Sequence, residues 1–194
     1  MAKYYAIKDD IHSEIVDSWE VCKEHLKNYT KPKYKSFKTI EEAKAFLEDS
    51  ILDDNITAPK AYIDGSYDIE SEAYSFGGVL IIDGKEYPYK KRFEKDEYSP
   101  LRNVAGEIQG AGFIIAYCVK KGIKELHIFY DYLGIEKWYT HEWGAKTKIA
   151  IEYQMLADRV KDKIHVVFHK VKSHTNNYYN DYADRLAKDA LGIK

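Results

Sequence analysis

This sequence contains few cysteines and few prolines, and its net charge is close to zero. Its 194 residues include 2 cysteines and 4 prolines, and the formal net charge is −2. The cysteines, Cys22 and Cys118, are too few for a disulfide framework, and no Cys/His cluster indicates a structural zinc site. Lone cysteines are typical of a reducing compartment, so we expect a cytoplasmic protein. The near-zero charge excludes a uniformly basic protein that coats nucleic acid, although it permits a local basic patch.

Long apolar runs are also missing. No segment approaches the roughly 18 consecutive apolar residues of a transmembrane helix, and the N-terminus has no apolar stretch of signal-peptide length. We therefore expect no membrane partner. Hydrophobic residues make up 45% of the chain and charged residues 32%, which is typical of a folded globular protein and argues against wholesale disorder.

The hydrophobic pattern divides the chain into two units. Residues 1–52 alternate short strands with short helices, and residues 61–194 hold a longer series of elements. Residues 53–60 are polar, contain Pro59 and are interpreted as a linker. A unit of about 50 residues is marginal alone but can fold.

Helix caps can be recognised in the first unit. A strand is predicted over residues 3–8, followed by the short apolar pair Ile15-Val16. A helix is predicted over residues 19–26, and a third short strand over residues 34–37. Ser18 is the predicted N-cap of that helix. Thr39 and Glu42 form a capping-box pattern at the start of a second helix.

The second unit is predicted to be an α/β domain. Its predicted strands cover residues 61–63, 75–82, 86–93, 125–130 and 164–169. Its predicted helices cover residues 104–121, 149–160 and 179–191. Asp83 and Gly84 are a hairpin signal between the second and third strands. Three consecutive strands, followed by alternating helices and strands, indicate a mixed sheet with helices packed on it.

Two acidic residues lie directly after predicted strands of the second unit, Asp64 after the first and Asp131 after the fourth. Strand ends are where α/β sheets gather ligands, and carboxylates that meet there repel each other unless a divalent cation separates them. Oxygen ligands favour Mg²⁺ or Mn²⁺. Any single acid among 32 is equally well a solvated surface charge, and composition alone does not select Glu107 or Asp184.

Five segments of the second unit resemble type 1 ribonuclease H, in order and in spacing. They are YIDGS at residues 62–66, NVAGE at 103–107, FYDY at 129–132, VKSHT at 171–175 and NDYADRLA at 180–187. The resemblance covers residues 61–194. It implies a ribonuclease H-like five-stranded mixed sheet flanked by helices. It also implies a metal-dependent endonuclease that hydrolyses the RNA strand of RNA–DNA hybrids and leaves a 3′-hydroxyl and a 5′-phosphate.

The resemblance also implies roles for single residues. The metal-binding acids would be Asp64, Glu107, Asp131 and Asp184, with two Mg²⁺ or Mn²⁺ ions per active site and Asp64 between them. Asp181 is a near alternative to Asp184, which the motif favours. His174 would assist proton transfer or product release.

Substrate contacts are implied beside the acids. The candidates are Gly65, Ser66, Asn103 and Asn180, because a polar group must read the 2′-hydroxyl that distinguishes RNA from DNA. For Asn103 and Asn180, helix capping is an open alternative.

The chain departs from the family where relatives bind their substrate. Tyr132 follows Asp131, where many relatives have serine, and the segment between Asp131 and His174 is too short for a full basic substrate-binding helix. Trp138 and Trp143 with nearby lysines would either contact nucleic acid or pack on the surface.

The first unit resembles the small hybrid-binding, viroplasmin-like domain that precedes the catalytic domain in many relatives, an α+β fold with a three-stranded sheet. The implied nucleic-acid contacts are Tyr5, Trp19, Tyr34 and Lys35. However, residues 9–14 are acidic where the family has a basic, glycine-containing loop. The alternative is a degenerate or protein-binding module in which Trp19 and Tyr34 are core residues.

Two other functions stay open at this point. The chain would be a nuclease of the same fold that acts on double-stranded RNA, or a non-catalytic protein that binds nucleic acid.

Overall fold

The computed structural model describes residues 3–9, 12–30, 32–44, 46–47, 56–171 and 178–193. The chain divides into two compact units, with a boundary between Thr57 and Ala58. The limits predicted for the two domains and the linker stay predictions, because part of residues 53–60 lies outside the described residues.

The first unit is a small α+β fold. Its strands are β1 (Tyr4–Lys8), β2 (Ser13–Val16) and β3 (Lys33–Phe37), and its helices are α1 (Trp19–His25) and α2 (residues 40–44 and 46–47). β1 lies in the middle of a three-stranded sheet and pairs antiparallel with both neighbours. The expected fold class is therefore confirmed for this unit.

Both predicted caps of the first unit are present. Ser18 Oγ accepts a hydrogen bond from the backbone N–H of Val21 at 3.2 Å. Thr39 Oγ1 accepts from Glu42 N at 3.2 Å, while Glu42 Oε2 accepts from Thr39 N at 3.3 Å. These bonds satisfy backbone donors that a helix N-terminus otherwise leaves without a partner.

The second unit contains a five-stranded mixed sheet, as expected. Its strands are β4 (Lys60–Tyr67), β5 (Tyr74–Ile82), β6 (Lys85–Phe93), β7 (Glu125–Tyr130) and β8 (His165–Lys170). They lie in the order β6-β5-β4-β7-β8. β4, β5 and β6 are antiparallel, whereas β7 is parallel to β4 and to β8. Asp83 and Gly84 both have positive φ, as a tight hairpin turn between β5 and β6 requires.

Helices cover both faces of this sheet. They are α3 (Asn103–Lys120), α4 (Gly134–Tyr139), α5 (Lys148–Val160) and α6 (Tyr178–Leu191). A core that includes Ile63, Leu126 and Ile128 packs against Ile108 and Ile115 of α3. α6 packs on β4, β5 and β6. α4 was not predicted, because it has six residues and no side-chain cap.

None of the helices in the described part of the chain combines the length and apolar character that a membrane span requires.

Glycines allow α3 and α6 to approach the sheet closely. A Cβ atom added at Gly106 of α3 would lie 1.9 Å from Ser75 O, and one at Gly65 of β4 would lie 2.2 Å from Asn103 O. On β5, a Cβ at Gly77 would lie 2.2 Å from the backbone nitrogen of Ala187 in α6. Any side chain at these three positions would push a helix away from the sheet.

Strand β6 forms one edge of the sheet and is rich in cations. Lys85, Lys90, Lys91 and Arg92 lie along its exposed length, together with Pro88. Proline is tolerated in such a strand because an edge strand has a neighbour on one side only.

We predict that Gly77→Ala destabilises the second unit by about 1–3 kcal/mol, because the new methyl group overlaps the α6 backbone. Thermal unfolding followed by circular dichroism measures the effect. Gly144→Ala is the control, since a Cβ there meets nothing within 4 Å. Equal melting temperatures for the two variants would contradict the packing argument.

Candidate metal centre

Three carboxylates from different elements converge in the second unit. Asp64 lies in β4, Glu107 lies in the second turn of α3, and Asp131 directly follows β7. One oxygen from each lies within 4.8 Å of the oxygens of the other two. Such a set of hard oxygen ligands is suited to a divalent cation.

The pairing of β4 explains why Asp64 and Asp131 meet. The prediction that the strand ends before Asp64 is wrong, because β4 continues to Tyr67 in antiparallel pairing with β5. Its parallel pairing with β7, however, stops at Tyr62 and Phe129. Asp64 and Asp131 are each two residues beyond that last pair. The two strands therefore deliver both carboxylates to the place where they separate.

Glycine packing brings Glu107 to the same place. Gly65 and Gly106 let α3 approach β4, so the Glu107 side chain lies beside Asp64 although it is only 2% exposed. Its Oε1 accepts a hydrogen bond from Asn103 Nδ2 at 3.1 Å. Its Oε2 is buried and has no hydrogen-bond partner among the described residues. A buried carboxylate oxygen in this position fits a metal ligand.

Burial and mutual repulsion raise the pKa values of two of these acids. For Asp64 the pKa rises to about 7, mainly because of burial and then because of the charge of Asp131, although the hydrogen bond from Gly65 N opposes the rise. Burial also raises the pKa of Glu107 well above its usual value, and the charges of Asp131 and Asp64 add to this. The three carboxylates therefore resist being ionised together without a cation.

The fourth predicted acid, Asp184, does not join this cluster. It lies in α6 and forms an ion pair with Lys188 Nζ at 2.8 Å. Its charge nevertheless contributes to the raised pKa of Asp64, so it lies within electrostatic range. The alternative, Asp181, is in the first turn of α6 and is not a member of the cluster either. His174 lies outside the described residues.

Two of the predicted substrate contacts, Gly65 and Asn103, bind carboxylates of the cluster. Gly65 donates its N–H to Asp64 Oδ1 at 2.7 Å, and Ser66 is buried in β4. Asn103 does not act as the N-cap of α3: it is the first helical residue, and its side chain holds Glu107. Asn180 is buried in the first turn of α6.

Tyr132 was missed as a neighbour of the cluster, and Arg102 was missed as the residue before α3. Arg102 directly precedes Asn103, has a positive φ and places its guanidinium over the Tyr67 ring. The pKa of Tyr132 is raised by burial and by the charge of Glu107. The one sequence signal for Tyr132 was that it follows Asp131 at a position where many relatives have serine.

An exposed aromatic group lies on the first unit. The Trp19 ring is 5.7 Å from that of Tyr5 and 5.9 Å from that of Tyr34. Trp19 is 41% exposed and Tyr34 49%, so the alternative that these two are core residues is wrong. Lys35 is the next residue of β3 after Tyr34, and it therefore projects from the other face of the sheet.

Two acids of residues 9–14, Asp9 after β1 and Glu14 in β2, accept hydrogen bonds within the first unit. Asp9 accepts hydrogen bonds from the backbone N–H groups of His12 and Thr30, at 2.7 and 2.9 Å. Glu14 accepts from Tyr29 and contacts His25 Nδ1 at 2.8 Å. Asp9 and Glu14 thus act as acceptors for donors of the first unit itself.

Comparison with known proteins shows two kinds of similarity. The family model for the ribonuclease H1 N-terminal domain matches residues 3–47. A ribonuclease H of Prosthecochloris aestuarii is 37% identical over 60 residues, which are 29% of this chain and 41% of that protein. A ribonuclease H of Chlorobium chlorochromatii is 36% identical over 62 residues, which are also 29% of this chain and 41% of that protein. The chain thus spans about two fifths of the length of these relatives.

Solved structures show that the fold is shared over most of the chain. The ribonuclease H1 of Halobacterium salinarum has a TM-score of 0.57 at 20% identity and covers 70% of this chain and 98% of its own. LC11 ribonuclease H1, solved in complex with an RNA/DNA hybrid, has a TM-score of 0.53 at 13% identity over 69% of this chain and 99% of its own. The fold and the N-terminal match together confirm the resemblance to type 1 ribonuclease H with an N-terminal domain.

Proposed function

We propose that this protein is a ribonuclease H, an endonuclease that hydrolyses the RNA strand of RNA–DNA hybrids. The observation that carries the proposal is the meeting of Asp64, Glu107 and Asp131 within 4.8 Å on a ribonuclease H fold. Relatives named ribonuclease H, and a structural neighbour solved with an RNA/DNA hybrid, support the substrate class.

The proposed cofactor is a pair of Mg²⁺ or Mn²⁺ ions. The donor set fits them, because it consists of carboxylate oxygens and includes the buried Oε2 of Glu107. Bound ions of this kind supply an activated water and a stabilised 3′ leaving oxygen, so the products are a 3′-hydroxyl and a 5′-phosphate.

The protein's own groups hold and orient this centre. Asp64, Glu107 and Asp131 are the proposed ligands, and Asn103 fixes the rotamer of Glu107 through its 3.1 Å hydrogen bond. Asp184 is the proposed fourth ligand, which requires its carboxylate to leave Lys188. His174 is proposed to assist proton transfer or product release.

The substrate is proposed to be held at two places. Gly65, Ser66, Asn103 and Asn180 are proposed to read the RNA strand. Gly65 and Asn103 support this through their hydrogen bonds to Asp64 and Glu107. On the first unit, Tyr5, Trp19 and Tyr34 offer aromatic faces for nucleic acid. Lys35 projects from the other face of β3, so it is proposed as a phosphate contact separate from this aromatic group. A cytoplasmic location belongs to the same proposal and is consistent with the free, buried Cys22 and Cys118.

Asp64→Asn should lower the rate of hybrid cleavage by at least roughly a hundredfold, because it removes a charged ligand from the centre. The measurement is cleavage of a labelled hybrid with Mg²⁺, with Mn²⁺ and with EDTA. Asp181→Asn is the control on α6 and should keep nearly normal turnover.

Normal turnover of Asp64→Asn would contradict the metal assignment. A parallel assay on double-stranded RNA tests the substrate: preferred cleavage of that duplex would replace the hybrid in the proposal. Folded wild-type protein that cuts neither duplex would favour a non-catalytic binding function.

Metal-free stability should depend on pH in a way that reports on Asp64. Because folding raises the pKa of Asp64 from 3.8 to about 7, the folded state binds the extra proton. Stability from this group is complete below pH 4 and is lost as pH rises through 7. Asp64→Asn should therefore stabilise the protein in EDTA by roughly 1–3 kcal/mol at pH 8, and by less at pH 5.

Melting temperatures of wild type and variant at the two pH values measure this effect. Asp162→Asn, on the exposed turn after α5, serves as the control. Mg²⁺ should raise the melting temperature of wild type at pH 8 more than that of Asp64→Asn. An equal response of both proteins would argue against a metal at the cluster.

Trp19→Ala should raise KM for the hybrid roughly tenfold and leave kcat nearly unchanged, because a stacking surface is lost while the carboxylate cluster keeps all its residues. The control is Tyr87→Ala, which removes another exposed aromatic side chain, from β6. An unchanged KM for Trp19→Ala would support a protein-binding role for the first unit instead.

A further inference from the structure

A second group of potential metal ligands lies on strands β7 and β8. Leu126, Ile128 and Tyr130 of β7 point into the core. The alternate residues Glu125, His127 and Phe129 therefore project from the opposite face. His169 of β8 is aligned with Phe129 in the parallel register. α6, which covers the sheet on β4, β5 and β6, leaves these two strands outside its main contact.

The two histidine rings face each other at close range. His127 Nδ1 and His169 Nε2 are 2.7 Å apart, and the ring planes are inclined by only 12°. The other nitrogen of His127, Nε2, is 3.1 Å from Glu125 Oε1. The His127 side chain is 13% exposed, and His169 is half-buried on the edge strand. The group is thus partly enclosed but open to solvent at the edge of the sheet.

Hydrogen bonding determines which nitrogens are available. An ionised Glu125 only accepts, so neutral His127 carries its proton on Nε2 and leaves the Nδ1 lone pair directed at His169. The two nitrogens then share one proton. If His169 takes the tautomer with its proton on Nδ1, two imidazole lone pairs point into the same space.

We propose that His127 and His169 form a two-histidine site for a late first-row divalent metal ion such as Zn²⁺. Imidazole nitrogen is a preferred ligand for such ions, whereas Mg²⁺ prefers the oxygen ligands of the carboxylate cluster. Glu125 then takes the position of the carboxylate that commonly orients a metal-bound histidine from behind.

Metal binding requires the two rings to move. Tetrahedral zinc with bonds of about 2.0–2.1 Å needs its two nitrogens about 3.3 Å apart. Both rings have to turn as the nitrogens separate from 2.7 Å, so that the lone pairs meet at the ion instead of pointing at each other. Lys60 of β4 is aligned with His127 of β7 and carries a positive charge. Glu125 carries a negative charge. A bound ion would link the edge strand β8 to β7, the strand that ends beside Asp131.

The test is a Zn²⁺ titration of the full-length protein in millimolar Mg²⁺, which competes with Zn²⁺ for the carboxylate cluster under the proposed function. Wild type should bind one Zn²⁺, and His169→Gln should weaken binding by at least roughly tenfold. His165→Gln is the matched control, because His165 lies on the same strand and the same face but is exposed and outside the pair. It should bind Zn²⁺ as wild type does.

Equal Zn²⁺ affinity of wild type and His169→Gln would overturn the proposal, as would the absence of binding by wild type. If His169→Gln does not fold, nitrogen chemical shifts of the seven histidines in wild type decide the question. Zn²⁺ should shift His127 Nδ1 and His169 Nε2, while His165 stays unchanged. Shifts confined to other histidines would refute the site.

Discussion

Contact between the backbone of α3 and the backbones of β4 and β5 determines where the acidic residues lie. Gly65 and Gly106 make this contact possible, since a methyl group at either would overlap a neighbouring carbonyl oxygen. The apolar face of α3 supplies the free energy that holds the helix there, because it buries Ile108 and Ile115 against the sheet. Glu107 lies on this helix and is carried to Asp64 by packing alone. The packing of uncharged residues thus determines the position of the Glu107 carboxylate.

The same packing creates an electrostatic cost that a cation would relieve. Burial and like charges raise the pKa values of Asp64 and Glu107, which means that the folded state disfavours their ionised forms. The free energy gained by packing the hydrophobic core offsets this cost, as is common in binding sites that form before their ligand binds. Asn103 and the N–H of Gly65 offset part of it through hydrogen bonds to the carboxylates.

Sequence reasoning succeeded where one local signal dominated. The strand over residues 125–130 was predicted with its observed limits because Leu126, Ile128 and Phe129 make it apolar. The end of β4 was predicted wrongly, since no local pattern reveals that one neighbour stops pairing before the other. The meeting of Asp64 and Asp131 followed from strand ends, but Glu107 required the family resemblance. The His127–His169 pair depends on the register of two strands 42 residues apart in sequence.

The edge strand β6 has a consequence for molecules that meet in solution. Its outward backbone groups would template the addition of a strand from a second molecule. Its three lysines, its arginine and Pro88 oppose such an approach, since like charges would be brought face to face and one backbone donor is missing. The strand thereby disfavours the addition of strands from other molecules and the aggregation that would follow. It lies at the opposite edge of the sheet from β8.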